Sequence, residues 1–555
     1  MKAAAQFVWR TMQRQLNGWT IVTVAGALAA LAPSAYILLG LLAEPTENWP
    51  HIRDYVLLDA SLQSLWMVLG AGSCAVALGV TLAWLVAVYD FPLRRFCHFV
   101  FVLPLALPPY IAAYTYGSML SYTGSVQAFL RNQLGLTPNP AYFDIMSLKG
   151  AIFIFTICLF PYVYLLVKTM LERQSASYIE NARLLGQGPL TILVRIVLPV
   201  SQTAIAGGAS LVAFEVLNDY GVSKHFGIPS FTTAIFKTWF GMYDVDSAIR
   251  LSALLMSFVI AIFILERLVR RRKMYHASTS RQRPLSRRRL HGPAAWAATG
   301  LGLTVFAFSF AIPVVQLIVW AAWTYNDVLN ARFVLLLGNT LLVSAIAILL
   351  LMTLAVIIAN VVRFAKRSLW GIALSRLVAM GYSIPGAVLA IGVLAVFLSL
   401  DGLLGASGLY ERLGYSPSKL VLSMSIAMLI FAYIIRFLPV GYNAVEAGFD
   451  KLGNRYTEAS RMLGQSLTAS FFKVDLPMIR GAVLTGCILS FMEIVKELPL
   501  TLLLRPFNFE TLATKAYQYA SDEQIHQASV PSLFIIAVGV VFVCFYYWLG
   551  ERKPS

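Results

Sequence analysis

Glu180-Asn181-Ala182-Arg183-Leu184-Leu185-Gly186-Gln187, followed downstream by Ile196-Val197-Leu198-Pro199, decides the fold because it occurs twice. A shift of 278 residues lays it on Glu458-Ala459-Ser460-Arg461-Met462-Leu463-Gly464-Gln465 and on Val474-Asp475-Leu476-Pro477. The same shift places Phe214-Glu215 on Met492-Glu493, Asp219 on Glu497, Phe231 on Phe509, Thr233 on Thr511, Lys237 on Lys515 and Asp244 on Asp522, without a gap. Self-similarity at a fixed shift marks a duplicated unit. The chain is a fused pseudo-dimer.

Around these strings the sequence is mostly apolar. Of 555 residues 59% are hydrophobic and 12% charged, too apolar for a soluble enzyme of this size. A bilayer core about 30 Å thick needs a helix of roughly 20 apolar residues, with every backbone donor satisfied inside the segment. About twelve such stretches can be read, near residues 20–43, 60–88, 98–120, 149–171, 200–220, 247–266, 295–322, 335–362, 370–399, 418–440, 478–499 and 529–549. The first exceeds the short apolar core of a signal peptide and is read as a retained helix. Six crossings per copy is an even number, so the copies share one orientation about an axis along the membrane normal. The expected fold class is an all-α membrane protein of two parallel six-helix repeats, residues 1–266 and 295–555, joined by a basic linker at 267–294.

Lys and Arg near helix ends are retained on the cytoplasmic side. Arg94-Arg95, the stretch Arg173 to Arg195, Arg363-Lys366-Arg367 and Lys451 to Arg480 fall together on that side, as do both termini. Topology therefore accounts for the net charge of +17, and no nucleic-acid partner is read from it. The densest run, Arg270-Arg271-Arg272-Lys273 through Arg287-Arg288-Arg289, lacks apolar periodicity and reads as a linker that can lie on anionic lipid. Five scattered cysteines without CxxC spacing and six dispersed histidines give no metal site. No GxxxxGK[ST] loop, nucleophile elbow or HExxH motif is present, so neither ATP hydrolysis nor another enzymatic reaction is read from this chain.

The duplicated loop joins the fourth and fifth helices of each repeat, over about 172–199 and 441–477. Glu180 and Arg183 share a helical face at i,i+3 spacing, and Leu184 and Leu185 are available for docking. Gly186 can take the left-handed conformation that ends a helix, and Pro199 can begin the next one. The expected device is a short helix, a turn and a second helix projecting from the membrane, twice.

These residues resemble the EAA loop of binding-protein-dependent ABC importer permeases, the type I import fold. The resemblance implies that Glu180, Ala182, Arg183, Gly186, Gln187 and Pro199, with Glu458, Ala459, Arg461, Gly464, Gln465 and Pro477, form two loops that couple to ATPase subunits. Asn181 and Ser460 depart from the family's alanines, and Val474 from its isoleucine. Leu211-Val212-Ala213-Phe214-Glu215-Val216-Leu217-Asn218-Asp219-Tyr220-Gly221 and Met492-Glu493-Ile494-Val495-Lys496-Glu497-Leu498-Pro499 are similar to the ferric-iron permeases. Fused thiamine permeases share the architecture, and phosphonate and polyamine systems use related modules. The implied partners are a cytoplasmic ATP-binding subunit in two copies, carrying ATP and magnesium, and a periplasmic substrate-binding protein. This chain itself is expected to bind no cofactor. Delivery would be to loops around Ser121 to Leu148, Gly221 to Asp246, Asp401 to Ser418 and Leu502 to Ala528.

Within the membrane, Glu215 would lie roughly 24 Å along its helix from Pro199 at about 1.5 Å per residue, and Glu493 at the matching depth. With Asp219 and Glu497 one turn later, these carboxylates could line a path for a hard cation, since intramembrane ionisable groups face protein or water. Pairing with Lys496 or Arg505 is the alternative. Pro104, Pro108, Pro109, Pro161 and Pro385 favour kinks that shape either packing or a gate. A proton-driven carrier with parallel halves is the competing class, but it has no need of two matched docking loops.

Overall fold

The computed structural model describes residues 18–174, 176–271, 286–365, 368–381, 384–416 and 420–551. It is almost wholly helical. In chain order the first repeat gives α1 (Gly18–Leu39), α2 (Leu57–Val88), α3 (Pro109–Leu120), α4 (Leu148–Gln174), α5 (Ala176–Leu184), α6 (Gln202–Asn218) and α7 (Val245–Arg271). The second gives α8 (Pro293–Phe306), α9 (Ile312–Val328), α10 (Ala331–Ala365), α11 (Gly386–Ala406), α12 (Ile426–Leu452), α13 (Arg455–Met462), α14 (Leu476–Lys496), α15 (Leu512–Ser521) and α16 (Ile525–Glu551). Two strands, β1 (Tyr89–Asp90) and β2 (Arg288–Arg289), pair in parallel. Half of the basic linker, 272–285, lies outside the described residues, as do Lys366, Arg367 and the two chain ends.

Ten helices are long and apolar enough to cross a bilayer, or up to twelve if each of two bent pairs is one span, among the described residues. The two-repeat helical fold read from the sequence therefore holds. Three boundaries differ, each for a local reason. The span expected at 98–120 is a pair, Arg94–Ala106 and Pro109–Leu134, bent by 93°. Pro108 and Pro109 lack the amide hydrogens that would carry the helix through. The span expected at 370–399 is likewise split into Leu369–Met380 and α11, because Pro385 disfavours helix at the residue before it. In the opposite sense, α12 runs on past the expected end at 440 to Leu452, since Tyr442, Val445 and Phe449 continue a buried helical stripe.

By packing, the helices form two compact units that cut across the repeats. One comprises residues up to Glu44 with Leu335–Thr511, the other Pro45–Val334 with Leu512–Ser555. In the first unit α1 packs on α11, and α12 packs on α14. In the second, α4 and α6 pack against α2, α7 packs on α6, and α9 lies against α16. A Cβ on Gly208 of α6 would stand 2.8 Å from the Val163 backbone, so glycine lets α6 approach α4 closely.

Candidate coupling loops and intramembrane carboxylates

In the first loop Gly186 has φ of +73°, and in the second Gly464 has +82°. Each closes the same hydrogen-bonded cap. The Gly186 amide donates to Arg183 O and the Gln187 amide to Ala182 O; the Gly464 amide donates to Arg461 O and the Gln465 amide to Ser460 O. This pair of bonds is the Schellman arrangement, which satisfies the last carbonyls of a helix by placing a left-handed residue after it. The chain then turns into Pro189–Ile192 or Leu467–Ser470.

The short helices bury one side and offer the other. Ile179 and Ala182 are buried, as are Thr457 and Ser460 at the matching positions. At the tips, Leu184 and Leu185 are 86% and 77% exposed, and Met462 and Leu463 are 90% and 82% exposed. Tyr178 and Tyr456, also equivalent, are half-exposed. Scattered exposed apolar residues need no explanation, whereas this apolar tip recurs in both repeats at one fixed shift.

What holds each helix differs. The first rests on an apolar seat that includes Ile179, Ile192 and Val197. In the second, the equivalent positions carry Thr457, Ser470 and Asp475. Buried Arg363 of α10 pairs with Asp475 at 2.5 Å, Thr457 donates to the same carboxylate at 2.7 Å, and Ser460 bonds Ser470 at 2.9 Å. The Arg363 guanidinium also lies over the rings of Phe364 and Phe449, at 4.4 and 4.3 Å. Nothing in the loop's string of matched residues signals Arg363, which lies about a hundred residues upstream of its partner.

Polar groups on the outer side of the first helix are engaged instead. Glu180 accepts from both the amide and the hydroxyl of Ser286, and Arg183 donates to Ser286 O and to Val88 O. Burial raises the nearby Tyr89 phenol above its ordinary pKa, while the charges of Arg183 and Arg288 act to lower it.

Both repeats also break a helix at the same place. α6 ends at Asn218 and a short helix, Gly221–His225, follows; α14 ends at Lys496 before Pro499–Leu504. Asp219 and Glu497 occupy the breaks in the same extended conformation, with ψ of 135° and 123°. Asp219 accepts from the amides of Val222 and Ser223, at 2.9 and 3.2 Å. Glu497 accepts from the Leu500 amide at 3.2 Å and from Arg436 Nε at 3.4 Å. Cys158 takes the place of Arg436 in the first repeat. One turn earlier, Glu493 pairs with Lys496 at 2.8 Å, while Arg505 faces Glu510 at 3.8 Å. Glu215 is half-buried on α6. Glu215 and Glu493 belong to different compact units.

One further loop region is ordered by a carboxylate. Asp401, expected to begin a loop, lies within α11 and accepts from the Leu422 and Ser423 amides and from the Tyr410 hydroxyl. Between α6 and α7 a cavity of about 580 Å³ is lined by Tyr55, Asp59, Tyr220, Lys224 and Lys237 among others.

With this geometry established, the sequence comparisons are specific. The pattern of the family described as "Binding-protein-dependent transport system inner membrane component" matches residues 75–274 and again 352–553. The Fe(3+)-transport system permease protein FbpB 2 of Haemophilus influenzae is 26% identical over 472 residues, covering 83% of this chain and 84% of its own. A probable ABC transporter permease protein, y4fN of Sinorhizobium fredii, is 22% identical and covers 97% of this chain and 96% of its own. The spermidine/putrescine permease PotB of Escherichia coli is 27% identical over 182 residues, 33% of this chain and 65% of its own.

Proposed function

The chain belongs to the binding-protein-dependent transport system inner membrane component family, and from that premise we propose that α5 and α13 are the two points at which a separate ATPase drives it. It is a multi-pass inner-membrane permease subunit of an ABC importer, not itself an ATPase. The observation that carries the docking reading is the duplicated tip: a Schellman-capped helix with two exposed apolar residues, present in both repeats at the same shift. An exposed pair of large apolar side chains on a rigid cap suits a preformed cleft in a partner. The partner would be a nucleotide-binding subunit in two copies, carrying ATP and magnesium, on the cytoplasmic side with both termini. Rocking of the membrane helices then follows from a nucleotide-biased two-state equilibrium.

For the cargo we favour ferric iron, delivered by a periplasmic binding protein. Support comes from the similarity to the Haemophilus permease over most of both chains, whereas the polyamine permease matches a third of this one. Thiamine, phosphonate and polyamine are the competing cargoes within the same mechanism. The deciding experiment is reconstitution with the neighbouring ATPase and binding protein, measuring ATP-dependent accumulation of radiolabelled ferric ion against the other solutes. Replacing Leu184, Leu185, Met462 and Leu463 by aspartate should abolish both ATPase copurification and uptake. Retained copurification would remove the tips as docking points.

Of the four acidic positions, Glu215 and Glu493, at matched depth in the two repeats, are the candidates for contact with a moving cation, and Glu493 would meet it from its ion pair with Lys496. Asp219 and Glu497 have main-chain amides as partners and support the helix breaks. The double variant Glu215→Gln/Glu493→Gln should lower uptake about tenfold at unchanged expression, as expected for removing charge-assisted contacts in a low-dielectric path. Full transport by that variant would assign both residues to packing.

A further inference from the structure

The two loops share a cap and a tip, yet among the described residues only the first is tied from outside by a segment of the linker. Ser286 sits against α5 with three polar contacts: its amide and hydroxyl donate to Glu180 Oε1 at 3.2 and 2.8 Å, and its carbonyl accepts from Arg183 at 3.0 Å. Beyond it, Tyr89 pairs with Arg288 and Asp90 with Arg289, and the Leu290 amide donates to Asp90 O at 2.9 Å. Arg287 reaches Glu172 at the end of α4 at 3.3 Å, and Glu172 also holds Lys168 at 2.9 Å. Arg289 stands 3.8 Å from the Asp90 carboxylate.

Individually such exposed ion pairs contribute little. Together with a strand pairing and a doubly donated carboxylate, they join three elements: the end of α2, the end of α4 and the signature face of α5. In the second repeat Glu458 and Arg461 are exposed and make no side-chain hydrogen bond or ion pair among the described residues. The second helix is secured from beneath, through Asp475, instead.

Resting on the docking reading above, we propose that Ser286–Leu290 is a positioning strap for the first docking helix, so that the two identical ATPase subunits meet non-equivalent seats. Ser286 is the positioning residue: it fixes Glu180 and Arg183 through hydrogen bonds without itself forming the apolar tip. The strap makes the inter-repeat linker a working part of the transmission on one side only. A partner on that side also faces the exposed Arg288 and Arg289, and its matching surface would be acidic.

The test compares the two seats within one complex. A photo-crosslinker is placed at Asn181→Cys or at Ala459→Cys, equivalent exposed positions, and the purified permease in nanodiscs is titrated with the ATPase subunit. Ser286→Pro, which removes both donors to Glu180, should lower the crosslink yield at 181 about fivefold, and Ser286→Ala about twofold, with the yield at 459 unchanged. Ser286→Thr, which keeps both donors, should restore it. An equal fall at both positions, or no fall at 181, overturns the strap. Absence of crosslinks at both positions in the otherwise native protein overturns the docking reading itself, and the strap with it.

Discussion

Uptake should fall tenfold or more when Gly186 and Gly464 are both replaced by valine, while the protein still inserts and the partner ATPase still turns over. The effect comes from the backbone. A Cβ at either glycine meets nothing within 4 Å, so no clash is created. What is lost is the left-handed φ, which costs an L-residue about 1–2 kcal/mol, and more for a β-branched one. With the cap gone, the amides of Gln187 and Gln465 lose their acceptors and the apolar tips lose their fixed angle to the membrane helices. Asparagine tolerates the left-handed region, so Gly186→Asn/Gly464→Asn should keep most of the transport that valine destroys. The measurement is substrate imported per ATP hydrolysed in proteoliposomes. Equal transport by the valine and asparagine pairs would show that the caps are not needed for transmission.

The second large effect is expected at Asp475. Its carboxylate and the Arg363 guanidinium are both buried, at 0% and 5% side-chain exposure. Replacing Asp475 by alanine leaves a buried cation facing aromatic rings and apolar side chains, a loss of roughly 3–5 kcal/mol for a broken buried pair. The substitution also strips Thr457 of its acceptor. Thermal unfolding in detergent should drop accordingly, with the first loss of protection from hydrogen exchange at α13. The paired change Arg363→Met/Asp475→Leu should recover most of the stability, because an apolar replacement of similar volume removes both desolvation penalties at once. A paired variant no better than the single one would mean that the ion pair is not what holds the second helix.

How much of this was legible in the sequence follows from the range of each interaction. The repeat, the helix count and the glycine caps rest on local pattern, since a Schellman turn needs only the residues from Ala182 to Gln187. The failure at 370–399 is instructive. Leu369 to Ala406 is apolar almost throughout, so hydropathy alone does not register the interruption, and only Pro385 marks it. The partners of the acidic residues were less readable. Lys496 beside Glu493 is a neighbour at i,i+3 and could be named as a partner in advance. Arg436 for Glu497 and Arg363 for Asp475 come from other helices, 61 and 112 residues away in the chain, and nothing local points to them. The strap was hidden for a different reason: Ser286 lies in a basic, aperiodic run whose composition reads as solvated linker, and its contacts become visible only when Glu180 is placed in space.

The packing of α1 on α11 bears on how the molecule is made. α1 is synthesised long before α11, with roughly 350 residues between them, and at about 5–20 residues per second that is an interval of some tens of seconds. During it α1 has lipid, not its native neighbour, around the face where Pro33 will meet Gly392. Biogenesis therefore includes a waiting step, and the duplicated halves cannot mature one after the other as sealed modules. A cell making the two repeats as separate polypeptides would have to bring them together before either could complete its own helix bundle.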